Sequence, residues 1–123
     1  MIASKLNMLT DQELLEELET CTRVHGHDVL DGEVRDANRS YWKLKAVRGE
    51  FRARGSWLQA DLDRLFDHPD MVVRYYIATG LFALDPIRAR AIIEEVRDAG
   101  PIRLAGDAGM TLSMLDDGTF KPT

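Results

Sequence analysis

The stretch from Asp61 to Leu84 constrains this chain more than any other. Leu62, Leu65 and Phe66 recur at helical spacing until Asp67-His68-Pro69-Asp70 interrupts them. A second run begins at once, with Val73, Ile77 (or Ala78) and Leu81 on one helical face. Asp70 is placed to cap that run, because an N-cap carboxylate accepts a backbone N–H that the first turn leaves without a partner. The two runs read as a helical hairpin. Its second helix, Met71 to Leu84, is apolar on most sides and so belongs in a core.

The remaining segments repeat the same grammar. Thr10-Asp11-Gln12-Glu13 is a capping box that opens a helix from Asp11 to about Thr22. Leu14, Leu15, Leu18 and Cys21 lie on one side of it, and Glu13, Glu16, Glu17 and Glu19 on the other. His25-Gly26-His27-Asp28 and Leu30-Asp31-Gly32 then break the pattern and read as a connector, the loop His25–Asp31. From Glu33 to about Arg54, Val34, Ala37, Tyr41, Leu44, Val47 (or the neighbouring Arg48 stem) and Phe51 hold the helical period throughout, the longest helix expected. Gly55 stops it, and Ser56 is the expected N-cap of a third helix with the stripe Trp57, Leu58, Leu62, Leu65 and Phe66.

Asp85-Pro86 is a further start signal, with aspartate at the cap and proline at the first helical position. Ala89, Ile92, Ile93 and Val96 give that helix its buried stripe, and Gly100-Pro101 ends it. A last helix, from about Ala105 to Leu115, presents Ala108, Met110 (or Thr111), Leu112 and Leu115, while Gly106 and Gly109 suggest close approach of another helix. Phe120 is expected to fold back onto the core. No segment alternates with period two, so the chain reads as all-α, one domain over residues 1–123 with about six helices in three hairpins.

Charge divides between the first two helices. Asp11, Glu13, Glu16, Glu17 and Glu19 give the first about −5, whereas seven basic against three acidic residues give helix 33–54 about +4. The chain as a whole carries −5, which argues against a dedicated nucleic-acid binder. Cys21 is the one cysteine, so no intrachain disulfide can form. The segment Met1–Asn7 is polar and no apolar run reaches the length of a membrane span, so a cytoplasmic location is expected.

Candidate sites are few. Arg35, Arg39, Tyr41, Trp42 and Lys43, with Trp57, form a candidate interaction surface. Its cations, with Arg54 or Lys45, could alternatively grip phosphates. Cys21, His25, His27 and Asp28 lack the compact spacing of zinc ligands, and Cys21 reads as core. Neither Ser56 nor His68 is free for nucleophilic chemistry, because each is expected to serve as a cap or turn residue. The expectation is therefore no catalytic residue, no metal and no cofactor. Asp70, Val73, Arg74 and Ala78 read as structural, with Arg74 expected to pair with Asp70 or Asp107.

The series Leu65, His68-Pro69-Asp70, Val73-Arg74, Ala78 and Leu81 resembles the inner turn of a HEAT-type repeat. Together with Ala37-Asn38, Glu50-Phe51, Arg54-Gly55, Leu84-Asp85-Pro86, Gly106-Asp107-Ala108-Gly109-Met110-Thr111-Leu112 and Asp117-Gly118, it is similar to a small bacterial family, domain of unknown function two-thousand-nineteen. That resemblance implies a HEAT-like α–α superhelix and no assigned activity. The expected function is a module that binds another protein, an immunity-protein-like role being one version. The alternative is nucleic-acid or phosphate-ligand binding through helix 33–54.

Overall fold

The computed structural model describes residues 5–122, so the first four residues of the Met1–Asn7 segment lie outside them. Six α-helices and one short 3-10 helix lie wholly within the described residues, with no strand among them. They are α1 (Asp11–Asp31), α2 (Val34–Arg54), α3 (Gln59–Phe66), α4 (Met71–Gly80), α5 (Pro86–Ala99) and α6 (Ile102–Asp117), with the 3-10 turn Phe82–Leu84 between α4 and α5. The helices gather into two compact units, one ending at Arg64 and the other beginning at Leu65.

In the first unit α1 packs along α2. The Thr10–Glu13 capping box forms in both directions, at 2.9 and 3.1 Å. The expected connector is instead helical: α1 runs on to Asp31, and His25 and Gly26 are buried within it. Gly26 weakens helix propensity by about 1 kcal/mol relative to alanine. Burial of Leu18, Cys21, Thr22 and His25 on one face carries the helix through it. The turn to α2 is thereby reduced to Gly32-Glu33. Glycine is needed at 32 for room, since a Cβ there would stand 2.7 Å from the Asp28 carbonyl oxygen.

Leu44, Val47 and Phe51 form the buried stripe of α2, and Gly55 ends the helix in the left-handed region at φ 67°. Arg54 closes the end of the hairpin. It donates to Glu50 (3.0 Å), Asp11 (2.9 Å) and the Leu6 carbonyl (2.9 Å), so it is not available as a phosphate ligand. Arg64 grips Glu19 with two hydrogen bonds of 3.0 and 2.6 Å. Ser56 does not cap α3. Its hydroxyl turns back to the Arg54 carbonyl, and Asp61 instead accepts the Leu58 N–H from inside the first turn. Leu58, expected in the buried stripe, is exposed.

In the second unit α4 packs on α5, and α5 on α6. Asp70 caps α4 through the Val72 N–H at 2.9 Å, and Val73 and Ala78 are fully buried. Arg74 pairs with neither Asp70 nor Asp107. Its guanidinium donates to the His68 and Pro69 carbonyls at 2.8 and 3.3 Å and to Glu95 of α5 at 3.3 Å. The His68 and Pro69 carbonyls lie in the turn between α3 and α4, outside either helix ladder, and they take the guanidinium as acceptors. The helix also stops earlier than the apolar run does. Asp85, the residue before Pro86, is held out of the helical region at φ −156° and ψ 75°, and Phe82–Leu84 ahead of it form a 3-10 turn.

Asp85 accepts the Arg88 N–H and begins α5 as expected. Its other oxygen takes the Arg88 side chain, which also reaches Asp67 at 3.2 Å. Helix α6 starts at Ile102, ahead of the expected Ala105. Gly106 and Gly109 do not mark a close approach: no atom lies within 4 Å of a Cβ built on Gly106, and Gly109 would meet only Arg97 at 3.9 Å. Phe120 folds back, its N–H bonded to the Met114 carbonyl and its ring 6.4 Å from Phe82.

Candidate functional site

A groove of about 600 Å³ runs between α1 and α2, lined by Val24, Asp28, Asp36, Arg39, Ser40, Trp42, Lys43 and Ala46. The helical period builds it. Val24 and Asp28 are one turn apart on α1, while Asp36, Arg39, Ser40 and Lys43 follow the three-and-four spacing of one α2 flank. The wall is mostly apolar at Val24, Trp42 and Ala46, and two carboxylates face two cations along it. Trp42 is 63 % exposed and Val24 45 %, unusual for large apolar side chains beside each other on one surface.

Of the residues expected to form an interaction surface, Arg39, Trp42 and Lys43 come together here. Tyr41 sits beside them, its ring edge-on to Trp42 at 5.3 Å and tilted against His25 at 5.9 Å. The Lys45 ammonium lies 5.2 Å from the Trp42 ring, a cation–π contact that holds the indole in place. Arg35 is exposed and reaches no further than its neighbour Asp36, at 4.0 Å.

Trp57 belongs elsewhere. It stacks on Phe51 with ring centroids 4.1 Å apart and planes 12° from parallel, and its indole N–H donates to the Phe51 carbonyl at 2.7 Å. Trp42 and Phe51 are nine residues apart on one helix, or about 14 Å along its axis.

Beneath the groove, His25 is buried and its Nδ1 lies 3.0 Å from the Ser40 hydroxyl. Ser40 also donates to the Ala37 carbonyl at 3.2 Å, so its proton is spent inside α2. Burial first, and then the nearby Arg48 charge, hold the imidazole below its ordinary pKa, against smaller opposing pulls from the Ala37 carbonyl and Asp28. Burial, reinforced by Glu17, pushes the Cys21 thiol up to about 12, and its S–H points to Glu17. His27 pairs with Asp31. Cys21, His25 and His27 thus have separate partners.

Val24, Asp28, Asp36, Ser40 and Ala46 were absent from the expected surface. Val24 lay past the expected end of α1 and Asp28 in the expected connector, so their helical register could not be read. Asp36 and Ser40 do share the register of Arg39 and Lys43, and that spacing was a usable signal.

These units are those of an all-α protein built from paired helices. The chain belongs to the family described as Domain of unknown function (DUF2019), whose model matches residues 12–116. It is also similar to a protein of known crystal structure, RPA1889 from Rhodopseudomonas palustris CGA009. The two share 33 % identity over 96 % of this chain and 98 % of that one, with a TM-score of 0.82. No curated protein matches the chain. Among the described residues, no helix is long and apolar enough to cross a membrane.

Proposed function

We propose that this protein is a non-enzymatic interaction module, HEAT-like in its helical hairpins, that binds another protein through the α1–α2 groove. The observation that carries the reading is the groove's composition. An exposed, oriented tryptophan stands beside Val24 and is flanked by Asp28 and Asp36 as well as Arg39 and Lys43. Aromatic anchors ringed by polar groups are the recurrent centre of protein–protein contacts. A partner suited to this groove presents an apolar side chain with charges of both signs beside it.

The same composition weighs against phosphate. Two carboxylates in the groove repel a polyanion that Arg39 and Lys43 would attract. Lys45 is engaged with Trp42, and Arg54 with Asp11 and Glu50. Catalysis is disfavoured as well. The Ser40–His25 contact lies within helices, where backbone N–H groups are spent on the helix ladder and form no oxyanion hole. A cytoplasmic setting and an immunity-protein-like role remain compatible extensions of this reading.

Site-specific photo-crosslinking tests it. A photoreactive side chain at position 42 or 24 should give one discrete protein adduct in cells, whereas the exposed position 12, outside the groove, should not. Equal adducts from all three positions would count against a groove-specific partner.

A further inference from the structure

The α1–α2 groove carries four charges that do not neutralise one another. The Asp28, Arg39 and Lys43 side chains make no hydrogen bond or ion pair among the described residues, and Asp36 reaches only Arg35, at 4.0 Å. The Trp42 indole N–H, a donor only, likewise meets no acceptor among the described residues, whereas that of Trp57 is bonded to the Phe51 carbonyl.

The charges are also sorted along the groove. Helices α1 and α2 run antiparallel from the Gly32-Glu33 turn, His25 meeting Ser40 near one end and Asp11 meeting Arg54 at the other. Counted from the His25–Ser40 contact, Asp28 and Asp36 both lie toward the turn. Lys43 lies on the far side of that contact, seven residues from Asp36, or about 10 Å along the helix. Arg39 sits level with the contact, and Trp42 lies beside Lys43.

A groove negative at one end and positive toward the other matches itself turned end for end. A two-fold axis crossing α2 between Arg39 and Ser40 sets Asp36 of each copy opposite Lys43 of the other. The same rotation brings each Trp42 indole to the acidic end of the other groove, where the Asp28 carboxylate can take its N–H. Arg39 falls near the axis, between the carboxylates of the two copies. Such a contact is isologous, so every pair forms twice. The chain as a whole carries −5 and repels its own kind, but this face bears two charges of each sign. It presents what a partner for the groove must present, an apolar side chain with charges of both signs beside it.

We propose that a second copy of this chain closes the groove, with Asp36 of each copy paired to Lys43 of the other about that axis. The pairing rests on the groove being a protein-binding surface, and narrows its occupant to this chain.

Two charge reversals test the pairing by mixing. Asp36→Lys opposes the Lys43 of the other copy and Lys43→Asp opposes its Asp36, so in sedimentation velocity each variant alone should dimerise at least about tenfold more weakly than wild type. Mixed in equal amounts, each reversed side chain meets an opposite charge, and a heterodimer should form with nearly wild-type strength. That recovery also shows that both variants are folded. Trp42→Ala, at a largely exposed position, should weaken the dimer without a reversed charge. A wild type that stays monomeric at every concentration, a dimer that either Asp36→Lys or Trp42→Ala leaves unchanged, or a mixture no better associated than its components would overturn the proposal. Photo-crosslinking from position 42 in cells separates the pairing from the groove itself. An adduct of twice the chain's mass supports the pairing. An adduct of another mass overturns it and keeps the groove as a binding surface, and no adduct removes both.

Discussion

Replacing Trp57 distinguishes a packing residue from a binding residue. In the structure the indole covers Phe51, itself fully buried, and bonds the Phe51 carbonyl. Three contributions are lost in Trp57→Ala. Stacking accounts for about 1 kcal/mol and the hydrogen bond for about 1 kcal/mol. Re-exposure of about 100 Å² of apolar surface adds about 2.5 kcal/mol. The expected destabilisation is therefore about 4 kcal/mol, a large share of the 5–15 kcal/mol that typically holds a folded domain together. Trp57→Phe retains the stack and most of the area, and should cost only about 1–2 kcal/mol. Urea unfolding followed by circular dichroism reads both variants without depending on the tryptophan that has been removed. A midpoint unmoved by Trp57→Ala would refute the packing account and return Trp57 to the list of candidate contact residues.

Three further outcomes follow from the same structure. Val73→Asp places a carboxylate where no solvent reaches and should cost about 3 kcal/mol or more; a cooperative transition close to the wild-type midpoint would contradict the core assignment. Arg74→Ala strips the His68 and Pro69 carbonyls of their side-chain donor and should lower stability by about 1–2 kcal/mol, measured by thermal unfolding, with Arg74→Lys recovering little of it. His25 is held below its ordinary pKa of 6.5 in the folded state, so the unfolded chain takes up its proton first. Its contribution to stability is complete above that value and is lost as pH falls below it toward the folded pKa. Unfolding midpoints should drop across this window more steeply in the wild type than in His25→Gln, and parallel curves would exclude His25 as the source.

How much of this was legible follows a physical line. Capping and periodicity are local, and the features they govern matched: the Thr10–Glu13 box, the Asp70 and Asp85 caps, the stop at Gly55 and the α2 stripe through Leu44, Val47 and Phe51. Gly26 misled, because glycine breaks an isolated helix but costs too little to stop one whose flank is buried. The same error hid Val24 and Asp28, and with them one wall of the groove. Arg74 was legible as structural, yet its acceptors were not, since which carbonyls a guanidinium reaches depends on the turn's path. Gly106 and Gly109 carried a packing meaning by composition that their surroundings do not bear out. Membership of the family was legible from the order of short motifs along the chain, and the model match over residues 12–116 establishes it.

The most direct test of the central claim is a calorimetric titration of the partner captured at position 42 against wild-type protein and Trp42→Ala. If Trp42 anchors that contact, the substitution should weaken binding by at least about 2 kcal/mol, roughly thirtyfold, while leaving the melting temperature unchanged because the side chain is largely exposed. An unchanged affinity would contradict the account.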